Sequence, residues 1–150
     1  MDVVVIFDSR TGNTERAAGL IGAGLRDAGA SVSIQSIDDV DLGALARADL
    51  AVIGTWTGGL FFFGQHPGGA AKIATVLPDL WDKATFAYVT YAINAGRAAT
   101  NMGDVLDGMG AVNLGTAALH RDKLDQECTE FVDQILACLL YTSPSPRDRG

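Results

Sequence analysis

Two apolar runs limit what this chain can fold into. Residues 3–7 read Val-Val-Val-Ile-Phe and residues 50–54 read Leu-Ala-Val-Ile-Gly, with no polar position to turn toward water. A strand of that kind is buried on both faces, as in a parallel sheet covered by helices on either side. The segments between and after these runs carry helical spacing. In residues 13–28, Ala17, Leu20, Ile21, Gly24 and Ala28 recur every three or four positions, and Gly29 ends the pattern. Gly19, Gly22 and Gly24 each weaken such a helix by roughly 1 kcal/mol relative to alanine, which close packing against the sheet can offset. Residues 30–37 form a second strand with Val32, Ile34 and Ile37 facing one way. Asp38, Asp39 and Asp41 then mark a loop and the start of a short helix over 42–48.

The second half repeats the alternation. Pro67 opens a helix over 68–75 as a first-turn residue, Pro78 stops it, and Leu80-Trp81 folds back onto the core. Residues 85–90 form the fourth strand and 97–109 a helix. A fifth strand covers 111–114 and extends toward 119. The last helix starts near Asp122 and places Leu124, Cys128, Phe131, Ile135 and Leu136 on one face. Strands alternating with helices define an α/β protein. Right-handed crossovers narrow the topology to a doubly wound, five-stranded parallel sheet in the order 2-1-3-4-5. Ligands of such sheets bind at the carboxyl ends of the strands, beside the switch between the first and third strands.

The loops that emerge there are the unusual ones. After the first strand comes Ser9-Arg10-Thr11-Gly12-Asn13-Thr14. Gly12 permits a turn that a Cβ would resist, and the helix behind it offers unpaired amides and the positive end of its dipole. That is an anion site, to which the hydroxyls of Ser9, Thr11 and Thr14 and the amide of Asn13 can add donors. The same residues also suit a plain helix cap, with Thr11 or Asn13 as the capping residue. Neither Gly-Lys-Ser/Thr nor G-x-G-x-x-G is present. After the third strand, residues 55–67 carry Trp56, Gly58, Gly59, Phe61, Phe62, Phe63 and His66. Three consecutive phenylalanines need a cover, whether cofactor, loop or partner. After the fourth strand comes Tyr91-Ala92-Ile93-Asn94-Ala95-Gly96.

Composition excludes several classes. The 150 residues are 48% hydrophobic and 19% charged, enough for one domain with a real core. The net charge of −7 argues against nucleic acid and is compatible with docking on basic proteins, or simply with solubility. No apolar run approaches the roughly 20 residues of a membrane span. The N-terminus enters a strand without a basic leader, so a cytoplasmic location is expected. Cys128 and Cys138, and His66 and His120, lack metal-ligand spacing, so no metal site is expected.

The motif at residues 9–14 resembles the T/S-x-T-G-N-T phosphate loop of the flavodoxins, which bind flavin mononucleotide (FMN). The resemblance extends over about residues 2–137. Beyond the phosphate loop it rests on the Thr55-Trp56 pair and the Tyr91 turn, and it is closest to the short-chain type. It implies a three-layer flavodoxin-like fold and a one-electron carrier working between partner proteins, a reductase and an acceptor. By that likeness Ser9, Arg10, Thr11, Gly12, Asn13 and Thr14 surround the phosphate. Thr55, Trp56, Thr57, Gly58 and Gly59 bound the flavin on one side, and Tyr91, Asn94 and Gly96 on the other. A peptide near Thr57-Gly58 would turn its carbonyl toward the flavin N5 on reduction, and Phe61-Phe62-Phe63 would offer a docking face.

Three departures stand out. The segment after the third strand lacks acidic residues. Thr57 stands where glycine often follows the aromatic residue. Arg10 puts a charge in a loop that is usually uncharged. Two other readings stay open: an FMN-dependent NAD(P)H:quinone or flavin reductase, and a flavin-free regulatory or binding module. Residues 138–148 resemble the translation of a sequencing adapter, which leaves 1–137 as the domain and 138–150 as a non-native tail, against the alternative of a Ser/Pro-rich tail.

Overall fold

Strand β1 (Asp2–Phe7) lies at the switch of the sheet, paired in parallel with β2 (Ser31–Ser36) on one side and β3 (Leu50–Gly58) on the other. Beyond β3, the computed structural model adds β5 (Ala84–Tyr91) and then β6 (Val112–His120), both parallel. A two-residue strand, β4 (His66–Pro67), pairs antiparallel with the end of β3. The structure describes residues 1–58 and 66–142. The principal order is β2-β1-β3-β5-β6, the doubly wound order expected from the sequence, with β4 as an unforeseen sixth strand.

The unbroken apolar runs are explained by burial on both faces. Val3, Val5 and Phe7 point to one layer, where they meet Ala17, Ile21 and Leu25 of α1 (Asn13–Asp27) and Cys128, Phe131 and Ile135 of α5 (Leu124–Thr142). Val4 and Ile6 point to the other, beneath α2 (Leu42–Arg47), α3 (Ala70–Val76) and α4 (Ala98–Gly108). Two of the three α1 glycines are places of close approach. A Cβ on Gly22 would fall 2.5 Å from Ile34 Cδ1 of β2, and one on Gly24 would fall 2.9 Å from Val132 Cγ2 of α5. Gly19 has nothing within 4 Å. α5 runs on past residue 137 to Thr142.

Four local expectations are corrected. Pro67 does not open a helix. It pairs with Thr57 across the β3–β4 ladder, an edge position that tolerates the missing N–H, and α3 begins at Ala70. The third strand does not end at Gly54, because pairing with β5 carries it through Trp56 and pairing with β4 extends it to Gly58. Leu80 is buried, but Trp81 is 83% exposed, carried outward by a left-handed backbone (φ 36°). Ile37 lies in a 3-10 turn rather than in the strand, and it packs in the layer opposite to Val32 and Ile34.

Candidate functional site

A cavity of about 320 Å3 opens at the carboxyl edge of the sheet, between the ends of β1, β3, β5 and β6. Its walls are Arg10, Thr11 and Asn13 after β1, Trp56 and Thr57 on β3, Thr90, Tyr91 and Ala92 after β5, and Arg121 after β6. Three loops that the sequence marks as unusual therefore meet at one place.

The first loop is shaped for an anion. Gly12 is the N-cap of α1 at φ 97°, and no side chain among the described residues caps the helix. Neither Thr11 nor Asn13 plays the capping role, so the first-turn amides remain unclaimed by a side chain. Ser9 Oγ accepts from the Gly12 amide at 3.1 Å, and Asn13 Nδ2 donates to Thr11 Oγ1 at 3.3 Å. Ser9 thus folds the turn, while Thr11 and Asn13 face the cavity. Thr14 points the other way. It is buried, its hydroxyl shares a 2.8 Å hydrogen bond with Thr90 Oγ1, and its carbonyl accepts from Tyr88 Oη at 2.9 Å.

On the β3 side, the Trp56 indole lies against the backbone of Gly68, where a Cβ would fall 2.0 Å from its Nε1. The Trp56 carbonyl accepts from the Gly68 amide at 2.8 Å. Thr55 is fully buried and does not line the cavity. Its Oγ1 accepts from the Gly69 amide at 2.8 Å and so holds the start of α3. Gly58 pairs with His66, whose ring lies 2.8 Å from where a Gly58 Cβ would be, and its φ is not positive. Gly59 and Phe61-Phe62-Phe63 lie outside the described residues. On the β5 side, Tyr91 is half-buried and meets His120 edge-on, with ring centroids 5.0 Å apart and planes at 79°. Asn94 Oδ1 accepts from the Gly96 amide at 2.9 Å, and Gly96 has φ 52°, so these two shape the third loop.

Two buried polar groups have no hydrogen-bond partner among the described residues: Thr57 Oγ1 in the cavity wall, and Asp8 Oδ2, which lies beside Gly69 at the start of α3. Buried groups normally find one. Asp8 is 6% exposed, and burial holds its carboxyl above the ordinary carboxylate range. The Lys72 ammonium opposes that rise and Asp38 adds to it. The sequence reading did not include Thr90, Ala92 and Arg121 in the site. The rule that ligands meet strand carboxyl ends would have pointed to Arg121, which directly follows β6.

This doubly wound sheet with its cavity at the switch point defines a flavodoxin-like α/β protein. Its fold matches the two-electron-reduced flavodoxin of Megasphaera elsdenii (TM-score 0.69, 23% identity, 87% of this chain and 96% of that one). It also matches oxidised flavodoxin 1 of Bacillus cereus (TM-score 0.69, 22% identity, 91% and 98%). The flavodoxin family model matches residues 5–67, which include the first loop and the β3 side of the cavity. A flavodoxin of Clostridium beijerinckii is 24% identical over 134 residues, covering 87% of this chain and 96% of its own length. Together these matches support assignment of the chain to the short-chain flavodoxins, a family whose members bind FMN. No helix among the described residues is long and apolar enough to cross a membrane.

Proposed function

We propose that residues 1–137 bind FMN in the cavity at the β1–β3 switch and pass electrons one at a time between redox partner proteins. The observation that carries this reading is the convergence of an uncapped helix start, two aromatic walls and an unpartnered hydroxyl on one cavity. The phosphate would sit on the α1 amides with Thr11 and Asn13, while Ser9 and Gly12 hold the turn. Arg10 adds a cation that the phosphate loops of this family usually lack. Thr14 positions the turn from below, through Thr90 and Tyr88. Trp56 and Tyr91 flank a flat ring, and Thr57 Oγ1 gains a polar partner from it. Thr55, Gly58, Asn94 and Gly96 act as supports, since their polar contacts are with the protein itself. When bound, FMN supplies one- and two-electron redox chemistry; the protein supplies position, water exclusion and charge.

The test is a visible-spectrum titration of the FMN-loaded protein under anaerobic stepwise reduction. Two resolved one-electron steps, with no reaction toward NAD(P)H alone, are expected. A single two-electron step driven by NAD(P)H alone would make the protein a reductase instead. A folded protein that takes up no FMN would overturn the cofactor reading.

A further inference from the structure

Several cations of this protein stand at one edge of the sheet, while Arg47, at the end of α2, and Lys123, beside Asp122, are also exposed and outside any ion pair among the described residues. Arg16 pairs with Asp125 at 3.1 Å, Lys72 pairs with Asp38 at 2.5 Å, and Arg26 donates to the Val32 carbonyl at 2.9 Å. Arg10, Arg97 and Arg121 are exposed and take part in no ion pair among the described residues. All three stand at the carboxyl edge of the sheet. Arg10 follows β1, Arg97 closes the loop after β5, and Arg121 follows β6. Arg10 and Arg121 line the cavity itself.

Acids are absent from the sequence around Arg10 and Arg97, whereas the exposed Asp122 directly follows Arg121. Residues 9–14, 55–58 and 90–97 contain no aspartate or glutamate, in a chain that carries 18 of them and a net charge of −7. The nearest acids in sequence are Glu15, in the first turn of α1, Asp122, set between Arg121 and Lys123, and the buried Asp8. Within the rim, Ile93 is 84% exposed. An exposed apolar residue inside a polar, charged rim has the composition of a transient protein interface.

We propose that this edge is a docking surface for the acidic face of a partner protein, with Ile93 at its centre and Arg97 and Arg121 on its rim. That the partner is a redox protein rests on the function proposed above; the sign of its charge does not. Net charge alone would favour a basic partner. At physiological ionic strength, however, charges farther away than about 8–10 Å are largely screened, so the local arginines decide the encounter. A bound phosphate draws first on Arg10, in its own loop, which leaves Arg97 and Arg121 facing outward. Charge complementarity of this kind sets association rate and partner choice more than affinity.

Small oxidants of opposite charge test the surface on the loaded protein. Protein reduced with dithionite gives one electron to ferricyanide, which becomes ferrocyanide, or to the tris(phenanthroline)cobalt(III) cation, which becomes the cobalt(II) complex. No bond to either reagent forms. The variant Arg97→Gln/Arg121→Gln should react several-fold more slowly with ferricyanide at about 10 mM ionic strength and faster with the cobalt cation. Both differences should vanish near ~0.5 M salt. Opposite changes for the two oxidants separate local charge from any shift in driving force, which would move both rates the same way. Equal rates for variant and wild type at low salt would overturn the proposal.

A second readout needs no flavin. In the apo chain, an anionic gadolinium chelate should broaden the amide signals of residues 10–13, 92–97 and 120–122 more than a cationic nitroxide does. The reverse preference would overturn the proposal. If the anionic preference appears but no flavin binds, the cofactor reading fails while the docking surface stands. If flavin binds and the arginine variants change neither oxidant rate, the surface fails alone.

Discussion

Tyr88 Oη donates to the Thr14 carbonyl at 2.9 Å, joining the middle of the sheet to the first turn of α1. Tyr88 is fully buried, and burial drives its phenol well above its ordinary pKa, which favours the protonated, donating form. The Thr14 hydroxyl makes a second tie, to Thr90. The proposed phosphate turn is thus fastened from beneath by two hydrogen bonds that do not face the cavity. Tyr88→Phe removes one of them without changing the ring that fills the space over Gly54. It should cost about 1 kcal/mol in urea denaturation and weaken FMN binding several-fold. Unchanged stability together with unchanged affinity would mean that the tie does no work.

The contact between Trp56 and Gly68 gives a test of the cavity wall. Gly68→Ala places a methyl group where the indole now lies, 2.0 Å from Nε1, so the ring must swing. Overpacking of this kind should destabilise by about 1–3 kcal/mol. Trp81 is the other tryptophan and is exposed, so the readout belongs in a Trp81→Phe background. There the Trp56 emission should shift to the red and FMN should bind more weakly. An unshifted emission would show that the ring accommodates the methyl group in place.

The two faces of the first loop separate phosphate from ring. Thr11→Val removes a hydroxyl that lines the cavity and keeps its shape. FMN affinity should fall roughly tenfold, about 1.4 kcal/mol, while riboflavin affinity is unchanged, because riboflavin has no phosphate. Equal losses for both ligands in isothermal titration would remove the phosphate role from this loop.

Asp8 sets a pH dependence. Its carboxyl pKa is raised in the folded state, chiefly by burial, from an ordinary value of 3.8. The folded chain therefore holds this proton more tightly than the unfolded one. That contribution is fully present below pH 3.8 and is lost as pH rises through the raised folded value. Asp8→Asn keeps the shape without the charge. At about pH 7 the variant should melt higher than wild type by about 2–4 °C, as a gain of about 1 kcal/mol would produce in a chain of this size. The difference should close as pH falls below the ordinary carboxylate range. A gain that persists undiminished in acid would assign it to something other than the charge.

The parts of this protein legible in the sequence are those set by local chemistry. Val3 through Phe7 and Leu50 through Ile53 have no hydrophilic face, so they become central parallel strands, and the strand order follows from crossover handedness. The loop containing Gly12 reads as an anion turn because its backbone needs a left-handed residue there. Other features depend on neighbours distant in the chain. Trp81 looks like a core residue, but the turn that carries it follows the backbone of Gly110, whose carbonyl accepts from the Asp82 amide, and that geometry sends the indole outward. Pro67 looks like a helix opener until Thr57 pairs with it. Thr14 reads as one more hydroxyl for the phosphate, yet Thr90, 76 residues away, takes that hydroxyl below the turn. Arg121 enters the cavity only because β6 runs to His120 alongside β5. Periodicity and turn chemistry are properties of neighbouring residues, whereas a side chain's final direction is set by whichever distant group offers it space or a hydrogen bond. The sequence alone therefore determines the sheet and its loops, and tertiary packing decides which of the loop side chains face the cavity.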